Sequence, residues 1–170
     1  MKNTNDPYAQ LDPVPQISIT APFADGDKLP LEQVSEAQGG NELSPEISWE
    51  PVDGAKSYMV TCYDPDAPTM SGFWHWVVTD IPASVTRVET GKNPDGATVR
   101  FNEALERGYI GAAPPAGHGP HRYFFTVQAL DVETLDAPDD LTGARTHFMA
   151  REHVIARGHV HATWENPQGE

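Results

Sequence analysis

Three segments rich in β-branched and aromatic residues constrain the fold of this chain more than any other feature. They span residues 57–63, 74–81 and 122–132. Side chains alternate between the two faces of a strand, and both faces are largely apolar in each of these segments. Strands of this kind are buried on both sides, so the chain must place a layer of structure on each side of them.

Turn-forming residues predict how these strands are joined. The chain has 14 glycines and 16 prolines among 170 residues, spread along its whole length. This distribution is typical of short strands linked by loops. Further strands are expected at residues 17–20, 47–49 and 159–164, and residues 29–33 are expected to pair as well. The predicted fold is mainly β, an antiparallel β-sandwich with one or two peripheral helices.

One helix is expected late in the chain. Thr142 is a candidate N-cap, and Ala144, Phe148, Arg151 and Ile155 share a face at helical spacing. Gly158 is expected to end this helix. Prolines exclude a helix from residues 1–15, which are predicted to form a flexible N-terminal arm, and residues 16–167 are predicted to form one domain.

Charge and cysteine content exclude several classes of function. The formal net charge of -14 disfavours nucleic acid and anionic membranes as partners. No apolar run approaches the ~20 residues that span a bilayer, so no stable membrane insertion is expected. Residues 1–15 lack the pattern of a signal peptide, which favours a cytoplasmic location. Cys62 is the only cysteine and lies in a predicted strand, so a buried packing role is expected.

Two aspartates follow the first of the long strands. The sequence DPDAP at residues 64–68 places Asp64 and Asp66 in a loop stiffened by prolines. An Asp-rich turn that caps its own backbone amides is the alternative interpretation. His75 follows in the next strand, where alternation groups it with Val77, Thr79 and Ile81, opposite Trp74, Trp76 and Val78. His75 could therefore face a ligand or be a core histidine bonded to a backbone carbonyl.

A glycine- and proline-rich segment at residues 108–123 is the second candidate half of a site. A loop of this length without regular structure is uncommon unless it is functional. Its backbone amides could approach an anion directly. Alternation at the start of the following strand puts His121 and Tyr123 on one face and Arg122 on the other.

These two segments carry a resemblance to a known family. The sequences DPDAP, FWHW and PPAGHGPHRY resemble the phosphatidylethanolamine-binding protein family, in particular its prokaryotic Raf-kinase-inhibitor-like branch. The resemblance implies a β-sandwich with a site for phosphate esters or other small anions, no cofactor, and a homodimer. The ligand-binding residues that it implies are Asp64, Asp66, His75, Gly111, Pro114, Pro115, His121 and Tyr123.

Two departures from the family pattern affect what can be transferred. Ala112 stands where many prokaryotic relatives have proline, which predicts a looser corner of the loop. The C-terminal helix of eukaryotic members is not expected, because the sequence ends soon after Trp164. Regulation of a kinase or protease through a protein partner is therefore one expectation among several. An inhibitor acting through its surface is the alternative.

Catalytic and metal-dependent functions are less favoured. Asp64, Asp66, His75, His118 and His121 include suitable metal ligands, but their order matches no metal signature. Ser71 lies near the first segment but has no adjacent base in the sequence. The chain is therefore expected not to be an enzyme, with a metal-dependent hydrolase as the remaining alternative. Two aspartates would repel an anion unless they hold His75 and His121 as imidazolium donors or the ligand brings its own donor.

Overall fold

The computed structural model describes residues 5–168 and contains two antiparallel sheets with one short helix, as predicted. The larger sheet has five strands in the order β6-β4-β3-β7-β8. Its strands are β3 (Ser57–Asp64), β4 (Phe73–Pro82), β6 (Thr98–Val99), β7 (His121–Leu130) and β8 (Val154–Trp164). The smaller sheet has the order β1-β2-β5, formed by β1 (Ile19–Thr20), β2 (Ile47–Trp49) and β5 (Arg87–Val88).

The main core lies between the two sheets. Ile47 and Trp49 of the small sheet pack into the same buried cluster as Val60 and Cys62 of β3. Cys62 is fully buried, in agreement with the packing role expected for it. The other face of the large sheet is also covered, which explains why β3 and β7 are apolar on both sides.

Two register shifts in the pairing of β3 with β4 make the predicted alternation in β4 wrong. One lies between Cys62 and Tyr63, where the partners change from Trp76 to Trp74, so His75 is the extra residue of a bulge. The other lies between Tyr58 and Val60. His75 consequently lines a cavity on the inner side of the sheet, and Ile81 joins Trp76 and Val78 in the main core.

The helix is shorter than predicted and the last strand is longer. Thr142 is the N-cap, since its hydroxyl accepts a hydrogen bond from the backbone of Arg145. The predicted helix extends as far as Arg157, just before Gly158. Helix α1 (Gly143–Ala150) ends seven residues earlier, and β8 begins at Val154. Its buried residues are Gly143, Thr146 and Ala150, so the predicted face of Ala144, Phe148, Arg151 and Ile155 is wrong.

Gly158 lies inside β8 and does not end the helix. A Cβ at Gly158 would stand 2.1 Å from the carbonyl oxygen of Ile17. Glycine is needed there because the N-terminal segment runs directly along the edge of β8, where Ile17 donates to the carbonyl of Arg157 at 2.9 Å. This pairing covers an edge strand that would otherwise be open.

The segment 29–33 does not form the expected strand. Residues Leu31–Gln33 form a short 3-10 helix, while Lys28 forms an isolated bridge with Thr163 of β8. The first four residues of the predicted N-terminal arm lie outside the described residues. From residue 5 onward the arm crosses the outer face of the large sheet, where the Tyr8 ring stacks on His159 at 3.9 Å.

No helix within residues 5–168 is long and apolar enough to cross a membrane.

Candidate functional site

A cavity of about 260 Å³ opens where β3 ends and β4 and β7 begin. The loop that leads into β7 forms its other wall. The side chains around it come from both segments that the sequence singled out. They are Asp64, Ala67, Pro68, Phe73, His75, Ile110, Gly111, Ala113, Pro114, Pro115, His121 and Tyr123.

Asp64 and His121 form a buried pair at the base of this cavity. The Nδ1 atom of His121 donates to Oδ2 of Asp64 at 2.7 Å, and both side chains are 4% exposed or less. The other carboxylate oxygen of Asp64 accepts from the backbone N–H of Asp66 at 2.7 Å. The Asp64 carboxylate is therefore hydrogen-bonded at both oxygens, and Nε2 of His121 remains on the side away from it.

Asp66 lies outside the cavity and forms an ion pair with Arg122. The guanidinium donates from Nε at 2.8 Å and from Nη2 at 2.9 Å, and the backbone N–H of Arg122 donates as well. Although burial alone would raise it, these hydrogen bonds hold the pKa of Asp66 below its usual value. The Arg122 side chain lies on the face of β7 opposite His121, as the alternation predicted. Its ion pair holds the Asp66 side chain on that same face.

His75 is buried against the loop and bonded to a backbone carbonyl. Its Nδ1 atom donates to the carbonyl of Ile110 at 2.8 Å, which matches the interpretation of His75 as a histidine bonded to a backbone carbonyl and not the alternative in which an aspartate accepts this hydrogen bond. Burial lowers the pKa of His75, an effect only partly opposed by that hydrogen bond and by the charge of Asp64. A neutral imidazole with its proton on Nδ1 presents the lone pair of Nε2 as a hydrogen-bond acceptor.

Tyr123 contributes a hydroxyl group that the protein leaves unused. The side chain is 1% exposed and packs edge-on against His75 with 5.2 Å between ring centres. Its hydroxyl has no hydrogen-bond partner among residues 5–168. Burial and the charge of Asp64 raise the pKa of Tyr123 far above its usual value, so the phenol keeps its proton and can donate it in a hydrogen bond.

The backbone amides of Ile110 and Gly111 are already bonded within the protein, so these two are not free to bind an anion. The N–H of Gly111 donates to the Glu42 carboxylate at 2.9 Å, and the N–H of Ile110 donates to the carbonyl of His75. A Cβ at Gly111 would stand 2.5 Å from the backbone nitrogen of Ser35. Gly111 is therefore required for close packing of the loop against its neighbour.

The rest of the loop is held firmly. Ala112 is fully buried, and its carbonyl accepts from the Ser35 backbone at 3.0 Å, so the looser corner expected from this residue is absent. The carbonyl of Pro114 accepts from Gln38 at 2.9 Å and from Asn166 at 3.1 Å. Pro115 lies at the exposed rim of the cavity.

The structure brings seven of the eight predicted ligand-binding residues to one cavity and places Asp66 elsewhere. Sequence reasoning missed Glu42, whose carboxylate holds the loop through Gly111, and the carbonyl of Ile110, which orients His75. Ile110 lies in the segment 108–123, but Glu42 lies in no motif, and only the fold brings it next to Gly111, about 70 positions away.

The metal and hydrolase alternatives find little geometric support. His118 lies at the rim, with its Nδ1 atom 3.3 Å from Nε2 of His121. Within the described part of the chain, no group of three or more His, Cys, Asp or Glu side chains could hold a metal ion. Ser71 is exposed on the loop after β3 and is not among the residues around the cavity.

Comparison with known proteins identifies the family. The family model for phosphatidylethanolamine-binding protein matches residues 19–165. The chain belongs to the phosphatidylethanolamine-binding protein family. Among its relatives, the UPF0098 protein YbhB of Escherichia coli is 42% identical over 153 residues, which cover 85% of this chain and 96% of YbhB.

Solved structures of the family have the same fold. The crystal structure of Escherichia coli YbcL, described as a member of the mammalian family, superposes with a TM-score of 0.82 and 35% identity, covering 88% of this chain and 98% of YbcL. The phosphatidylethanolamine-binding protein of Plasmodium vivax superposes with a TM-score of 0.64 at 16% identity, covering 94% of this chain and 92% of the other. At that identity the likeness concerns the fold alone.

Proposed function

We propose that the cavity at Asp64, His75, His121 and Tyr123 binds the phosphate group of a small phosphate monoester. The observation that carries this proposal is the hydroxyl of Tyr123, a residue of the cavity wall, which is a buried donor with no partner among residues 5–168. Buried polar groups are almost always hydrogen-bonded, and an orphan donor in a concave site is best explained by a bound acceptor.

The hydrogen-bonding groups around the cavity favour a singly protonated phosphate ester. Tyr123 donates, and Nε2 of His121, which lies 3.3 Å from Nδ1 of His118, is a further polar atom of the site. His75 instead accepts at Nε2, because its Nδ1 proton is committed to the Ile110 carbonyl. A phosphate monoanion supplies both partners, since its charged oxygens accept and its P–OH group donates.

The affinity for O-phosphoethanolamine, measured by calorimetry, tests the proposal. The second ionisation of a phosphate ester has a pKa of about 6, so affinity should fall as the pH rises from 5 to 8. The sulfate group of O-sulfoethanolamine carries one negative charge and no proton over this range. The pH dependence of its affinity therefore reports only changes in the charge of the protein. The ratio of the two affinities should therefore fall with pH. A ratio that stays flat would contradict binding of the protonated ester.

The Tyr123→Phe variant tests the role of the hydroxyl. A hydrogen bond to a charged group contributes about 1.5–3 kcal/mol, so this variant should lose at least about tenfold in affinity. Tyr58→Phe is the matched control, because Tyr58 is equally buried and its hydroxyl accepts from Val52 at 2.9 Å, far from the cavity. Equal affinities of the two variants would remove the main support for the site.

We infer that the protein binds its ligand without chemical turnover. The homodimer, the cytoplasmic location and the regulation of a kinase or protease remain predictions. Light scattering coupled to size-exclusion chromatography tests the homodimer, with a mass of twice 18.6 kDa as the expected result.

A further inference from the structure

A second cavity lies on the opposite face of the five-stranded sheet and is separate from the phosphate site. It has a volume of about 200 Å³ and is closed on one side by the N-terminal segment. The residues around it are Pro7, Tyr8, Leu11, Thr61, Tyr63, Trp74, Phe124, Thr126, Gln128, His147 and Arg157. None of them belongs to the cavity of Asp64 and His121.

Aromatic rings form most of its walls. The Trp74 ring lies between Tyr63, at 4.3 Å between ring centres, and His147, at 4.5 Å in a stacked arrangement. Tyr8 of the N-terminal segment meets Phe124 edge-on at 5.8 Å. Aromatic walls of this kind favour a flat, aromatic occupant, because offset stacking and edge-to-face contacts add to the burial of apolar area.

The N-terminal segment is fixed over this cavity by specific contacts. The Tyr8 hydroxyl and the Thr126 hydroxyl are 2.7 Å apart, and the Tyr8 ring stacks on His159. Tyr8 and Leu11 therefore form one wall, which separates a bound molecule from solvent on that side.

Arg157 introduces a positive charge without a carboxylate partner. The guanidinium is half-buried; Nε donates to the Gln128 side chain at 3.0 Å and Nη1 donates to the backbone carbonyl of Asp12 at 3.2 Å. No carboxylate of residues 5–168 forms an ion pair with it, although the chain carries 25 acidic residues. Arginine commonly binds a carboxylate through two parallel hydrogen bonds, and Nη2 has no protein acceptor among the described residues.

We propose that this second cavity binds a small aromatic carboxylate, with its ring against the wall formed by Tyr63, Trp74 and Phe124 and its carboxylate on Arg157. The size is suitable, since an apolar cavity of about 150 Å³ accommodates benzene. The hydroxyl of buried Thr61, a residue of the cavity wall, offers a further polar contact. The proposal is independent of the phosphate site, because the two cavities share no residue.

Calorimetry with 2-naphthoate and its neutral analogue 2-naphthamide tests this proposal. The unmodified protein should bind 2-naphthoate at least tenfold more tightly than 2-naphthamide. Arg157→Gln keeps a group that can hydrogen-bond to Gln128 and should abolish this preference. Tyr123→Phe, which removes only a hydroxyl of the phosphate site and breaks no hydrogen bond within residues 5–168, should leave both affinities unchanged. Failure of 2-naphthoate to bind, an unchanged preference in Arg157→Gln, or loss of binding in Tyr123→Phe would overturn the proposal.

Amide chemical shifts in the unmodified protein give a second test that needs no variant. Addition of 2-naphthoate should shift the backbone amide signals of Thr61, Phe124 and Gln128 more than those of Gly111 and Ala112. The reverse order would place the probe in the phosphate site and overturn the proposal. This measurement decides the outcome even where Arg157→Gln folds poorly.

Discussion

The stability of the ligand-free Tyr123→Phe variant tests whether the Tyr123 hydroxyl lacks a hydrogen-bond partner in the free protein. Replacing Tyr123 by phenylalanine keeps the buried ring, which is 1% exposed, and removes only the hydroxyl. Because that hydroxyl has no partner within residues 5–168, its removal breaks no hydrogen bond with them. The ligand-free variant should therefore be at least as stable as the unmodified protein.

The magnitude follows from the cost of burying an unpaired hydroxyl. Such a group costs about 1–3 kcal/mol in proteins, and a water molecule in the adjacent cavity recovers part of it. We expect Tyr123→Phe to gain about 1 kcal/mol in unfolding free energy. For a domain of this length, that gain raises the Tm by about 2–4 °C.

Chemical denaturation and thermal unfolding of the ligand-free protein measure the effect. Tyr58→Phe is again the control, since it leaves the Val52 N–H without its acceptor and should lose about 1 kcal/mol. The unfolding free energy should rise in Tyr123→Phe and fall in Tyr58→Phe. A loss in Tyr123→Phe as large as that in Tyr58→Phe would refute the reasoning, because it would mean that the Tyr123 hydroxyl already has a partner in the free protein.

Three further results are expected. Gly111→Ala should lose about 3 kcal/mol of unfolding free energy, since its Cβ would stand 2.5 Å from a backbone atom. Gly117→Ala is the control: a Cβ there meets open space, and only the φ of +77° is unfavourable, so it should lose only about 1 kcal/mol. Equal losses of the two variants in urea titrations would contradict this expectation. Burial lowers the pKa of His147 to about 4, so the unfolded chain binds more protons between pH 4 and 6.5 and stability should fall by up to about 3 kcal/mol as the pH drops through that window. The pH dependence of unfolding should be flatter by that amount in His147→Gln, and an unchanged profile would argue against a neutral His147. Burial raises the pKa of the Cys62 thiol, so iodoacetamide should modify it only after denaturation, as mass spectrometry would show; rapid modification of the native protein would contradict its burial.

Local patterns were sufficient to predict the long strands and the two halves of the site. β3 and β7 are apolar on both faces, and this pattern depends only on the residues themselves. The alternation at the start of β7 correctly separated His121 and Tyr123 from Arg122. Adjacent strands then bring the end of β3 next to the start of β7, which is why seven predicted residues meet at one cavity.

The features that could not be predicted depend on contacts distant in sequence. The bulge at His75 arises from the register between β3 and β4, and no residue in the sequence of β4 indicates a bulge there. Helix α1 ends early because the chain from Val154 pairs along the whole of β7, a partner about 30 residues away. Tertiary pairing overrides a helical periodicity as weak as the one in this segment.

The different partners of the two aspartates bear on the anion binding that we propose beside them. An unpaired carboxylate in the cavity would repel phosphate strongly at low dielectric. Asp66 is neutralised by Arg122 on the far side of β7, and both oxygens of Asp64 accept hydrogen bonds from the protein, one of them from His121. Asp64 thus holds the His121 ring in place through Nδ1 and leaves Nε2 on the side away from the carboxylate. Removing the carboxylate in Asp64→Asn should therefore weaken anion binding, whereas a site governed by simple repulsion would bind the anion more tightly.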